Sequence, residues 1–573
     1  MTVVLDGRSL TVREVVAVAR DDEPVTLAEA ARERVCESRE RVESVLDAGD
    51  PVYGVNTGFG ELVDRRIPRD RVSELQTNLI RSHAAGVGPA LPREAVRALI
   101  VTRINALCAG YSGIRLVVLD ILVGLLNERV HPVIPSRGSL GASGDLAPLA
   151  HLALVLIGEG EADVEHAGGE GERPGGEGKR PGGEGDRDGD GGEGDGDGDE
   201  RPGNGTKRLD GAAALDTAGL DPVDLGAKEG LALINGTQLT LGLAALLVAD
   251  AEQLCRAADV AGALTTEVTM GTTAACAEPI HEARPHAGQA TSARNVRRLT
   301  AGSEVVESHR NCDRVQDAYA IRCLPQVHGA VRDAVSHLRA GVETELNSAT
   351  DNPLVFPGDA LDDRASGTPN AAVVSGGNFH GAPLAHRLDY LIGALTDLAT
   401  IAERRTDRLL DPNLQEPHLP PFLAGDSGVE SGLMIAQYTA ASLVAECRSV
   451  GRAATDNTPV SGGQEDHVSM SATAAVNART VLERARSVVG IELLCAAEAA
   501  EYLDDGLELG VGTAAAHGAI REVVPALDGD RRLDGDVSAV GTLIATGLLD
   551  EAVDEAVGGA VDEPVEDVDG GVE

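Results

Sequence analysis

The chain has 573 residues and a formal net charge of −43, and its basic residues are arginine except for Lys179, Lys207 and Lys228. Such a balance repels nucleic acid and anionic membranes. The self-repulsion it imposes on a compact state is relieved in concentrated salt, where at about 1 M the Debye length shrinks to about 3 Å, so a salt-rich cytoplasm is the expected setting. No N-terminal basic flank leads into an apolar run, no apolar segment reaches the length of a span without a charge, and the eight cysteines form no C-x-x-C pair. Neither signal peptide, membrane span, disulfide framework nor metal site is expected.

In chain order, Thr2-Val3-Val4-Leu5-Asp6-Gly7 reads as a short strand and the rest of residues 1–50 as charged helices. Tyr53-Gly54-Val55-Asn56-Thr57-Gly58-Phe59-Gly60 sets three glycines around one of only six tyrosines. That is a loop, and loops held on a scaffold commonly carry function. The stretch from Leu75 to Gly88 reads as a helix stopped by glycine, with His83 where a helix-end cation would sit. Residues 91–135 hold two or three apolar helices, stopped by Pro132 and Pro135.

The chain is organised around Gly138-Ser139-Leu140-Gly141-Ala142-Ser143-Gly144-Asp145-Leu146-Ala147-Pro148-Leu149-Ala150-His151. Small residues give way to an apolar run, so a tight loop feeds a buried helix that starts at or just after Gly144, with Asp145 of N-cap type and Pro148 in the first turn. Ala142, Ser143 and Gly144 then face the positive end of a helix dipole. Their backbone is also one of the few that could close on itself. The Gly144 nitrogen has no Cβ on its own residue to obstruct it, Ala142 crowds its carbonyl little, and Ser143 can lose its hydroxyl. Attack of that nitrogen on the Ala142 carbonyl with loss of two waters gives a five-membered ring bearing a methylidene, an electrophile no ordinary side chain supplies. A serine-hydrolase elbow fails, because G-x-S-x-G needs glycine where Asp145 stands.

From residue 159 to 208 the composition turns to glycine and acidic residues, with Gly-Gly-Glu-Gly recurring at 168–171, 175–178, 182–185 and 191–194. This reads as a disordered insertion, and the calcium-repeat pattern fails on Arg187 and Gly189. The run Gly226 to Gln238, with Asn235 before a glycine and a threonine suited to capping, leads into an alanine- and leucine-rich helix to about residue 260. Gln316, Tyr319 and Arg322 stand three apart, and on helical geometry they share one face, an amide, a phenol and a guanidinium suited to a carboxylate. Long helices are expected at 327–347, 380–408, 432–450 and 468–500, which argues a bundle. A glycine turn carries Phe379, and Gln464-Glu465-Asp466-His467 opens the last of these helices with two acids in its first turn.

These strings together resemble the aromatic amino acid ammonia-lyases that build a methylidene-imidazolone group from their own chain, most closely those acting on histidine. The Tyr53 motif matches in all eight positions, and the resemblance spans the chain apart from the insertion and the tail. It implies an all-α fold, a helical bundle with a mixed N-terminal part, divided as 1–158 carrying the Tyr53, His83 and ring-forming loops, 159–208 the insertion, 209–550 the bundle, and 551–573 an acidic tail. It implies a 4-methylidene-imidazol-5-one made from Ala142-Ser143-Gly144, with no external cofactor. Tyr53, Tyr319 and Glu465 are the implied acid–base candidates, and His83, Asn235, Gln316, Arg322 and Phe379 the implied substrate contacts. The implied reaction is loss of ammonia from L-histidine to give trans-urocanate, in a cytoplasmic homotetramer with shared sites. The alternatives are a tyrosine or phenylalanine ammonia-lyase or aminomutase, and a non-catalytic helical scaffold. One departure stands out: the family commonly has Asn before Gln464, and here the residue is Gly463.

Overall fold

The computed structural model describes residues 2–58, 65–165, 205–310, 314–360, 365–455, 457–504, 506–559 and 562. Five long helices dominate it: Gln238–Val268, Leu324–Leu346, Ala382–Leu410, Met434–Ser449 and Ser471–Ala500. The first is apolar on nearly every face, which leaves no side for water and forces it to the centre. It packs against Arg93–Cys108, Leu324–Leu346 and Ser471–Ala500. By length and composition it could cross a membrane, but most of it is covered by neighbouring helices.

Buried charge ties the bundle together. Arg405, on Ala382–Leu410, holds both carboxylate oxygens of Glu492, on Ser471–Ala500, at 2.5 and 2.8 Å. The two-pronged geometry fixes the register of these helices, because shifting either would strand a buried charge.

The mixed N-terminal part is built of short strands. Val3–Leu5 runs parallel to Val25–Leu27. Val87–Ala90 pairs antiparallel with Pro135–Arg137, and Glu161–Glu165 lies between Val130–Pro132 and Thr206–Asp210. A further three-stranded sheet has Ala371–Val374 between Leu354–Pro357 and Ser366–Thr368.

Several sequence expectations need correction. The insertion was set at 159–208, yet its two ends form paired strands with Glu161 opposite Asp210, because alternating residues there bury Ala162 and Val164. Residues 166–204 lie outside those described. The helix before Pro132 stops earlier, at Asn127, and both prolines sit in strands. The tail boundary at 550 cuts a real helix, Leu548–Val557, which buries Leu549 and Val553. Asp562 also accepts hydrogen bonds from Asn295 and Arg332. The central helix runs to Val268 rather than 260.

Candidate active site

The ring-forming loop is clamped from two sides before its helix, Leu146–Leu156, begins. On one side the Met470 amide donates to the Leu140 carbonyl at 2.7 Å and Ser469 Oγ to the Gly141 carbonyl at 2.9 Å. On the other the Asp145 amide donates to the Gly236 carbonyl at 2.6 Å. Gly144 sits at φ 78°, and a Cβ there would lie 2.1 Å from the Gly236 oxygen, so only glycine fits. The same freedom of the Gly144 backbone is what closure onto Ala142 requires, and the open side of the loop, Ala142 and Ser143, lines a cavity of about 900 Å³. The three residues therefore fit the ring that the sequence implies.

Asp145 does stand at the N-cap position, but its side chain makes no cap bond. Its carboxylate is fully buried and accepts from Ser139 Oγ at 2.7 Å and from the Thr240 amide at 2.8 Å. It locks the loop to the central helix instead of satisfying its own helix, and burial holds its pKa above the ordinary value against those bonds.

Tyr53, His83, Asn235, Phe379 and Glu465 line the same cavity as Ala142 and Ser143. His83 ends the helix Val72–His83, with Nδ1 2.9 Å from the Leu79 carbonyl. A carbonyl only accepts, so Nδ1 carries the proton and Nε2 is left as an acceptor. Burial lowers the His83 pKa, opposed by the Leu79 contact and by the charge of Glu465, so the ring is neutral. Glu465 Oε2 and Asn235 Oδ1 are buried acceptors without a hydrogen-bond partner. Burying such groups is costly unless something donates to them, so this pocket suits a ligand rich in N–H donors.

Asn235 does not cap the helix after it. Its Nδ2 donates to the Asn352 carbonyl at 2.8 Å, while Asn352 Oδ1 accepts from the Gly376 amide at 2.7 Å. Behind Asn352, Asp351 accepts from Lys228 Nζ at 2.9 Å, a pair that is 2% and 0% exposed. This strut was missed in the sequence, as were Asn352, His380 and His467 on the cavity wall. A signal was there: Lys228 is one of three lysines in a chain that otherwise uses arginine, and a buried point charge with one partner is where the compact ammonium suits better than a planar fork.

Glu465 is not in a helix. The helix begins at Ser471, and the preceding Ser461–Gly463 turn places Gly462 at φ 68° and Gly463 at φ 96°. With Ser461 at φ 52°, three successive residues are left-handed, a run that glycine accommodates most easily, and the turn brings Glu465 to the cavity without help from a helix dipole.

Gln316, Tyr319 and Arg322 do not line this cavity. The helix there is only Tyr319–Arg322, with Gln316 in the loop before it, so the shared helical face is not formed. Arg314 anchors the segment to the carbonyls of Thr269 and Met270, beyond the far end of the central helix from Asn235. That helix has 31 residues, about 46 Å of rise. Tyr319 is 75% and Val315 94% exposed, and the Arg322 guanidinium lies 4.6 Å over the Tyr319 ring with its Nε unpartnered.

Comparison with known proteins agrees with this geometry. The aromatic amino acid lyase family matches residues 10–522. A probable histidine ammonia-lyase of Halobacterium salinarum is 61% identical over 97% of this chain and 98% of its own, and a histidine ammonia-lyase of Gloeobacter violaceus is 48% identical over 97% and 98%. Among solved structures, the tyrosine aminomutase of Streptomyces globisporus superposes with a TM-score of 0.84 at 35% identity, covering 97% of this chain and 99% of its own. The histidine ammonia-lyase of Trypanosoma cruzi gives 0.82 at 36%, covering 99% of each. The chain belongs to the aromatic amino acid lyase family.

Proposed function

We propose that this chain removes ammonia from L-histidine to give trans-urocanate, the entry step of histidine breakdown. The observation that carries the reading is the acceptor end of the cavity, where neutral His83 and the unpartnered Glu465 oxygen meet. Beside the Glu465 carboxylate an imidazole ring can take up a second proton and offer two N–H donors, one to each; a phenyl ring has none and a phenol only one. This favours histidine over the tyrosine and phenylalanine alternatives, which the shared fold alone does not separate.

Ala142-Ser143-Gly144 is the segment that would form the 4-methylidene-imidazol-5-one, and no external cofactor or metal enters the reading. Once formed, that ring supplies an electrophile for the substrate amine, making it a better leaving group. The chain's own residues do the rest. Breaking the Cβ–H and Cα–N bonds leaves a C=C bond, a proton and ammonia, so a base must take the β-proton. Tyr53 is the first choice, with Tyr319 and Glu465 as the other candidates. Asn235, fixed by Asn352, offers its free Oδ1 to the amino-acid end, and Phe379 covers the ring. Arg322 would hold the carboxylate through two parallel bonds, with Gln316 beside it.

Since that last group sits about 46 Å along the central helix from the cavity, it serves a site on another copy, in keeping with a homotetramer of shared sites. Salt-rich cytoplasm is the proposed setting. The test is an ultraviolet assay in concentrated salt with L-histidine, L-tyrosine and L-phenylalanine, together with intact mass. Product from histidine, a mass two waters below the open chain, and neither in Ser143→Ala are expected. Product only from the other two amino acids, or an uncyclised active chain, would defeat the reading, while an inactive chain of full mass would favour the scaffold alternative.

A further inference from the structure

A second cavity, of about 670 Å³, lies behind the two-stranded ribbon of Val87–Ala90 and Pro135–Arg137 and shares no lining residue with the catalytic one. One part of its wall is apolar, from Leu91, Pro92, Val96, Pro132, Leu243 and Val476, and the rest is polar and includes the carboxylates of Asp163, Glu165 and Glu483. Set into them is His131, only 5% exposed, neither of whose ring nitrogens has a hydrogen-bond partner. Its closest charged neighbour, Glu165 Oε1, is 3.6 Å from Nε2, beyond hydrogen-bond reach. Burial, with the charges of Arg97 and Arg93, holds the His131 pKa down at about 3, so the ring is neutral and offers one donor and one acceptor. Ser136 Oγ, on the same wall, is also buried and unpartnered.

Charge at this cavity runs against the rest of the molecule. In a chain of net charge −43 it gathers Arg93, Arg137, Arg208 and Arg479. Arg93 is paired with Asp22 and Glu165, Arg208 with Asp163, and Arg479 with Glu94 and Glu483. Arg137 has no carboxylate partner among the described residues; its guanidinium reaches only the Ser136 carbonyl, at 3.4 Å. One unneutralised guanidinium, a neutral imidazole and a hydroxyl thus belong to the wall of a partly apolar hollow large enough for a small molecule, whose other charges are paired with one another.

We infer that this cavity is a binding site for a small organic carboxylate with an apolar body. The carboxylate pairs with Arg137, its neighbouring polar atoms satisfy Ser136 and His131, and the apolar body fills the space between the prolines and Val476. The ribbon that forms its wall follows His83 by four residues and precedes Ala142 by five, so an occupant touches the backbone that carries both.

Calorimetric titration of the folded full chain in concentrated sodium chloride tests this, with benzoate as probe, acetate as the same charge without the body, and benzyl alcohol as the same body without the charge. Benzoate is expected to bind at one site per chain, and acetate and benzyl alcohol each at least about tenfold more weakly. Arg137→Gln, an exposed position whose loss leaves the fold intact by circular dichroism, should weaken benzoate about ten- to hundredfold. Ser136→Ala should weaken it less. No benzoate binding up to about 10 mM, binding indifferent to Arg137→Gln, or binding removed by Asn235→Ala in the catalytic cavity would overturn the inference.

Discussion

The two ends of the central helix, to which the proposed function assigns the two halves of the chemistry, are built in opposite ways. At the N-terminal end, Ser143, Asn235 and Glu465 are held by clamps within one chain: Gly236 on the ring-forming loop, Asn352 on Asn235, the glycine turn on Glu465. At the C-terminal end, Arg314 anchors a segment whose Tyr319 and Val315 stand out in solvent and whose Arg322 has only the Tyr319 ring beneath it. Burial within the chain prepositions a group before any ligand arrives. An exposed tyrosine with a half-buried arginine over it acquires its geometry only when something covers it. On the proposed reading, half of this site is finished by folding and half awaits a second copy.

The sharpest way to break that contrast is to mix two defective copies. Tyr53→Phe and Tyr319→Phe should each lose about 10²- to 10⁴-fold in kcat. Coexpressed in one oligomer they should regain up to about a quarter of the wild-type rate, through sites that draw the intact tyrosine from each. No recovery would mean that both tyrosines serve one chain's site.

Next in size is the strut under Asn235. Lys228→Met leaves Asp351 buried and unpaired, and should cost about 3–5 kcal/mol of stability. Denaturant unfolding measures it, and replacing both residues by apolar ones of similar volume should recover most of the loss. At the exposed end the cost should fall on binding instead. Arg322→Gln should raise KM about ten- to hundredfold with little change in thermal midpoint, because among the described residues its side chain makes no hydrogen bond or ion pair and only stacks on Tyr319.

The smallest effect concerns protons. In the proposed function His83 is a neutral acceptor, and burial lowers its pKa, so the neutral form persists to a pH below its ordinary value of about 6.5. Activity should therefore hold as pH falls through 6.5 and drop only below it. Leu79→Ala, which opens the cavity wall beside His83, should move that acid limb upward by as much as about one pH unit. A limb that stays in place would separate His83 from the pH dependence.

Motif by motif, the sequence was legible where function depends on contiguous residues. The ring-forming tripeptide, the glycine frame around Tyr53 and the helix ending at His83 are local arrangements, and each appears where the residues require it. Asp145 and Glu465 were found for an incomplete reason. Both looked like helix-terminal acids, yet one is a tertiary lock on Thr240 and the other sits on a left-handed glycine turn. Residues three apart at 316, 319 and 322 suggested a helical face that a four-residue helix does not supply.

By itself, then, the sequence determined the family, the long helices and the tight small-residue loop at Ala142-Ser143-Gly144, because periodicity and small-residue strings act over a few neighbours. Only the tertiary structure decided that Lys228 and Asp351 brace Asn235, that His131 faces an unfilled hollow, and that Gln316, Tyr319 and Arg322 lie a helix length from the cavity. Those outcomes depend on which distant segments meet, and on the rigid length of the helix that keeps others apart, neither of which any short stretch of residues encodes.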